Sequence, residues 1–388
     1  MKKFLKILLI VVVSFAAILY GSVFLGHRVL FPVPTLDAPT IEAVTDGTLT
    51  LGVQAHTHPT TMEEYINLLA GQIRRYNEIV PVLWPGDALT NQSAIVEDID
   101  SNNFWLIEPD GTVTPLSKDE ALEFGFNRIP RFGGFEFFDR GVYLAVFEND
   151  LTNYHLFQRY LHLGTYDAFI TFAHELFHVV EQANWPQADN LLNRERNEFL
   201  ENIPARAKRD LLQRQILRAV SQPGNTQLVL EALSTYRAYK SQFPDDYQNS
   251  KLTDRLEGTA FYFELITSLY SAYPDQIRNE EDLEHALALL ATREDVYVVH
   301  GLVIEGYNLG GFTSVLLSRY VDDWKTRLIN DPMMTPIEML YQHFNAETLP
   351  EPIQLTQMEI DAVGTAIQTM SDGSGLSLFF RFLYEILF

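Results

Sequence analysis

Residues 168–182 read Ala-Phe-Ile-Thr-Phe-Ala-His-Glu-Leu-Phe-His-Val-Val-Glu-Gln. Wound as a helix, they gather Thr171, His174, Glu175, His178 and Glu181 into one narrow polar stripe, with Phe172, Ala173, Leu176, Phe177, Val179 and Val180 around the rest. A helix apolar on nearly all sides is a buried helix. The chain must therefore wrap this segment and also satisfy the stripe, because burying two histidines and a carboxylate without partners costs several kcal/mol. Histidines four apart lie one turn above each other, so both imidazoles can reach one metal ion. Glu175 projects close to that face, where it can take a proton from a metal-bound water. The competing reading is a buried helix whose histidines have ordinary core partners. It must account for three buried polar groups at metal-ligand spacing.

A catalytic zinc usually has three protein ligands and an open position for water. The 388-residue chain has no cysteine, which excludes disulfides, thiolate sites and thiol catalysis and leaves His and carboxylate as donors for Zn2+. Two glutamates are candidates for the third ligand. Glu257 lies in Asp254-Arg-Leu-Glu-Gly-Thr-Ala-Phe-Tyr-Phe-Glu264, where Gly258 and Ala260 are expected to let its helix approach the metal helix closely. Glycine inside a helix costs about 1 kcal/mol relative to alanine, so something should need it there. Glu264 continues the same face and is expected to orient a histidine ligand from behind. Glu198, in Asn193-Arg-Glu-Arg-Asn-Glu198, is the alternative, in a charge-dense stretch that also reads as an exposed helix start with intrahelical ion pairs. A developing oxyanion needs a donor besides the metal. Tyr262, His300 and Tyr307 are candidates, and Tyr307, in Gly306-Tyr-Asn-Leu-Gly-Gly311 before an expected helix, is preferred.

These residues resemble the gluzincin branch of the zinc metallopeptidases, through His174-Glu175-x-x-His178 and a later helical glutamate. Asn197-Glu198 is similar to the thermolysin-like spacing, without the Ser-Asp that accompanies it there. Glu257-Gly-Thr-Ala-x-Tyr looks more like the compact, membrane-anchored bacterial gluzincins, with a longer gap after the histidines. The resemblance implies a zinc ion, a glutamate general base, a zincin-like fold with a mostly helical half carrying the third ligand, and a peptide or protein substrate. The expected activity is zinc-dependent peptide-bond hydrolysis, with Glu175 as general base. The alternative is an inactive protein of zincin-like fold that serves as a surface binding or structural element.

The N-terminus adds a location. Lys2, Lys3 and Lys6 precede Ile7–Gly26, twenty residues without a charge, long enough to span a bilayer as a helix. The lysines favour a cytoplasmic N-terminus, so the catalytic region is expected outside the cytoplasm, anchored by residues 1–28. Secretion after signal cleavage is the alternative. All of the excess negative charge, −23 overall, falls beyond residue 28, which argues against nucleic acid as a partner.

The rest reads as an α+β chain. A stiff proline-rich linker occupies 29–45, a small α/β region 46–150, and a mostly helical region 151–388. Thr61-Met-Glu-Glu64 forms a capping box for a helix to about Asn77. His56 and His58, just before it, read as polar surface. Asn103–Glu108, Pro-Asp-Gly and Thr112–Thr114 predict a hairpin, and Gly141–Phe147 predicts a strand whose edge could receive a substrate strand. Further helices are expected at about 152–162, 166–182, 203–220, 226–240, 252–273, 281–290, 311–328 and 355–370. The apolar 376–388 is too short to span a membrane.

Overall fold

Turn and cap chemistry build the N-terminal part. A computed structural model describes residues 43–52, 59–125, 135–146, 163–186, 202–300, 304–331, 333–345 and 349–368. Strands β1 (Val44–Thr45) and β2 (Thr50–Leu51) form a minimal antiparallel pair, followed by helix α1 (Met62–Leu83). Thr61 Oγ1 accepts from the Glu64 amide, whereas the Glu64 carboxylate reaches back to Thr60, so the expected capping box is displaced by one residue. Next come β3 (Ser93–Asp98), β4 (Asn103–Ile107), β5 (Val113–Leu116), the short α2 (Lys118–Leu122), β6 (Phe135–Phe138) and β7 (Gly141–Val146). The β4–β5 hairpin turns at Gly111, whose φ of +83° is the left-handed conformation glycine permits.

The strand order is β5-β4-β3-β7-β6, antiparallel except for the central β3–β7 pair, where Val96 lies opposite Leu144 in parallel register. This corrects one expectation. Strand β7 is not an edge, because β3 and β6 occupy both sides of its backbone, and all six of its residues are buried. An unbroken apolar run suits an interior strand better than an edge. Alternation splits the sheet's side chains: Ala94, Val96, Val142 and Leu144 join the main core, while Ile95, Phe104, Leu106 and Tyr143 form a second cluster.

The helical part follows. Helix α3 (Asp167–Leu176) continues into a wider turn at Phe177–Glu181, and then come α4 (Ile203–Ser221), α5 (Thr226–Gln242) and α6 (Pro244–Ala272). After them lie α7 (Glu280–Leu290), α8 (Glu294–Tyr297), α9 (Ile304–Tyr320), α10 (Trp324–Asn330), α11 (Pro336–His343) and α12 (357–368). The chain breaks between α5 and α6 at Phe243, and Pro244 opens α6, because proline is well suited to a helix's first turn. Gly306–Gly311 lies inside α9 rather than before it, and the chain breaks after Tyr320 instead of running to Leu328.

Aromatic rings hold α3 in place. Tyr76 of α1 meets Phe172 at 5.1 Å and Phe263 of α6 at 5.9 Å. Phe177 meets Phe263 at 4.9 Å and Trp84 at 4.8 Å. Such edge and tilted contacts add to area burial. Helices α6 and α9 cross backbone to backbone: a Cβ on Gly258 would lie 2.4 Å from Gly310 Cα, and one on Gly310 1.9 Å from Asp254 O. Gly258 thus serves the α6–α9 crossing, not the approach to the metal helix expected of it. One residue on from Glu257, it points about 100° away around the helix.

Beside this crossing lies a buried ionic network. Arg209 donates to Asp254 at 2.9 and 2.6 Å and to Glu305 at 2.8 Å. Arg206 donates to Glu305 at 2.5 Å and also pairs with Asp246, which accepts from Tyr239. Among the described residues no helix is long and apolar enough to cross a membrane. The proposed anchor at 1–28, most of the linker, His56, His58, the 152–162 helix, Glu198 and the 376–388 segment lie outside the described residues.

Candidate metal centre

Helices α3 and α6 bring three donors to one point. His174 Nε2 and His178 Nε2 are 3.0 Å apart, and Glu257 Oε2 is 3.4 Å from each. The histidine rings are 4.7 Å apart between centroids and inclined at 73°, so both Nε2 atoms converge. Glu257 Oε2 is buried and, among the described residues, has no hydrogen-bond partner, an arrangement that costs about 1–3 kcal/mol unless a cation offsets it. These three residues form the only group of three or more histidine and carboxylate side chains among the described residues that could hold a metal ion. His174 is 6% exposed, while His178 and Glu257 are each 24% exposed, so the cluster is reached from the side of the latter two.

The far side of each imidazole is held as well. His174 Nδ1 lies 2.9 Å from Glu264 Oε2, and Glu264 is fully buried on the same helix as Glu257. His178 Nδ1 lies 2.7 Å from Gln182 Oε1, and Gln182 Nε2 donates to Leu256 O at 2.9 Å and Thr259 Oγ1 at 2.8 Å. Tyr307, in the first turn of α9, stacks on His174 with centroids 5.1 Å apart and planes 2° from parallel.

Electrostatics follow from this crowding. Burial disfavours a charged His174, but Glu257 and Glu264 outweigh it and lift its pKa to about 10. Burial likewise opposes the Glu257 carboxylate, yet the two histidines more than offset it and hold Glu257 well below the usual carboxylate range. Two carboxylates thus call for a positive charge between them. Burial raises Glu175, with His174 and His178 pulling the other way. No hydrogen bond occupies the Glu175 carboxylate among the described residues.

Of the other sequence candidates, Tyr262 shares a hydrogen bond with Ser318 at 2.8 Å, and His300 pairs with Asp210 at 3.5 Å, so neither is gathered at the cluster. Gln182 is the participant that sequence reasoning missed. Its signal was available, since 174, 178 and 182 continue one four-residue spacing along the polar stripe. Comparison with known protein families, curated proteins and solved structures gave no match.

Proposed function

We propose that the protein is a zinc-dependent hydrolase of peptide bonds with a zincin-like fold, acting outside the cytoplasm. The observation that carries this reading is the donor triangle. Zinc at about 2.0–2.1 Å from tetrahedral ligands keeps them about 3.3–3.4 Å apart, and the three donors lie 3.0, 3.4 and 3.4 Å from one another. Three ligands with an exposed side suit a catalytic site, whereas structural zinc sites are closed by a fourth protein ligand.

A bound zinc supplies Lewis acidity, polarising a carbonyl and acidifying water. His174, His178 and Glu257 hold it, and Glu264 and Gln182 fix the histidines. Glu175, half-buried and raised by burial, accepts the proton from the attacking water and passes it to the leaving amine. Tyr307, already against His174, is the proposed donor to the developing oxyanion.

Two variants test this. Glu257→Ala should lose zinc stoichiometry, measured on the purified protein by elemental analysis. Glu175→Gln should keep zinc and lose peptide cleavage by about 10²–10⁴-fold. Zinc retained by Glu257→Ala would refute the assigned ligand. Failure of the intact zinc-loaded protein to cleave any member of a peptide library would refute the activity and leave the inactive binding protein.

A further inference from the structure

The two histidines of the triangle are backed differently, one by a carboxylate and the other by an amide. We infer that Gln182 is a positioning residue that locks His178 into the tautomer able to bind a metal through Nε2; this rests on the proposed metal site. The argument is one of hydrogen-bond polarity. Leu256 O can only accept, so the Gln182 atom 2.9 Å from it must be the amide nitrogen. Thr259 gives its own hydroxyl hydrogen to Arg255 O at 2.7 Å and so presents a lone pair to the same nitrogen. Both amide hydrogens are thereby assigned, and a flipped amide would set its oxygen against two acceptors. The oxygen must therefore face His178 at 2.7 Å, and His178 Nδ1 must be the donor. A neutral imidazole protonated at Nδ1 has its lone pair on Nε2, the atom that faces His174 and Glu257.

The residue type follows from the same bonds. Only a side chain that accepts at one end and donates at the other can join a histidine N–H to a backbone carbonyl. Glutamate would accept from His178 but meet Leu256 O with a second oxygen. The helix end is shaped for the role: the Gln182 amide closes on Phe177 O, five residues back, in the widened turn after α3. Wider turns of this kind concentrate at functional sites. Gln182 is also fully buried, so its geometry is not blurred by water.

The test uses the full chain labelled with 15N-histidine. In metal-free wild type, long-range proton–nitrogen spectra should show His178 protonated at Nδ1. Gln182→Met, of similar volume but unable to accept, should lose that preference and bind zinc about 10–100-fold more weakly in a chelator competition. Gln182→Glu, which still accepts from His178, should keep the Nδ1–H tautomer although its second oxygen meets Leu256 O and its bonds to α6 are gone. The inference is overturned if Gln182→Met keeps the Nδ1–H tautomer and wild-type affinity. It is also overturned if Gln182→Glu loses the Nδ1–H tautomer as Gln182→Met does, since the side chain would then merely pack the helix end. Absence of zinc binding by wild type would defeat the functional proposal alone, and the tautomer comparison would still decide the role of Gln182.

Discussion

Replacing Gly258 by alanine sets two effects of opposite sign against each other. In a free helix the change favours the folded form by about 1 kcal/mol, because alanine loses less backbone freedom than glycine. Here the added Cβ would lie 2.4 Å from Gly310 Cα, 2.8 Å from Gly310 C and 2.9 Å from Gly306 O. Carbon atoms at rest are about 3.5–4.0 Å apart, so α6 and α9 must separate by about 1.1 Å or more. All three obstacles are backbone atoms, and no rotamer change can relieve them. Overpacking of this kind costs about 1–3 kcal/mol, so after the propensity gain Gly258→Ala should destabilise by up to about 2 kcal/mol. Gly71, on the exposed face of α1, supplies the control, because a Cβ added there would meet nothing within 4 Å. Gly71→Ala should stabilise by about 0.5–1 kcal/mol. Urea unfolding followed by circular dichroism and tryptophan fluorescence measures both. Because Glu257 neighbours Gly258 and Tyr307 lies between Gly306 and Gly310, zinc affinity should fall in Gly258→Ala and not in Gly71→Ala. Stabilisation by both substitutions would refute the close crossing.

The ionic network and the α5–α11 contact yield two further predictions. Arg209→Met leaves Asp254 and Glu305 buried without their shared cation and should cost about 3–5 kcal/mol in urea unfolding; recovery of wild-type stability by Arg209→Lys would contradict the forked geometry. Burial tends to raise Glu338, but Lys240 at 2.8 Å and the Tyr247 hydroxyl outweigh it and hold its carboxyl below the usual carboxylate range. A carboxylate depressed by folding stabilises above its unfolded pKa, and the effect fades as pH falls through the folded value. Glu338→Gln should therefore lower stability at pH 7 and flatten its acid dependence below about pH 4.5, read from thermal unfolding at successive pH values. An unchanged acid limb would show that Glu338 contributes nothing to it.

Periodicity and spacing carried much of this structure on the surface of the sequence. The polar stripe of α3 is local, and so are the Thr61 cap and the Pro-Asp-Gly hairpin, each set by residues within one or two turns of one another. Glu264 could be anticipated because it shares a helix face with Glu257. What the sequence concealed depends on distant partners. Nothing local indicates that β7 lies between β3 and β6, since an apolar run suits any covered strand. Gly258 advertised a close approach but not its partner, which turned out to be Gly310. The Arg206, Arg209, Asp246, Asp254 and Glu305 side chains look like ordinary surface charges until α4, α6 and α9 are brought together. Gln182 was hidden for a different reason: an amide is not a ligand, and its role appears only when each hydrogen is assigned.

The contacts that shape the donor triangle have a kinetic consequence. His174 and Glu264 are 90 residues apart in the chain, and Gln182 reaches α6 across 74 and 77 residues that include the whole α4–α5 hairpin. No short fragment contains the site, so it forms only once α6 has docked on α3. Anything that unseats α6 dismantles it. A metal that binds only this assembled form raises its stability by about 2.7 kcal/mol when present at a hundred times its dissociation constant. Metal occupancy would then mark chains in which α6 has closed on α3, and scarcity of metal would leave that closure the less stable.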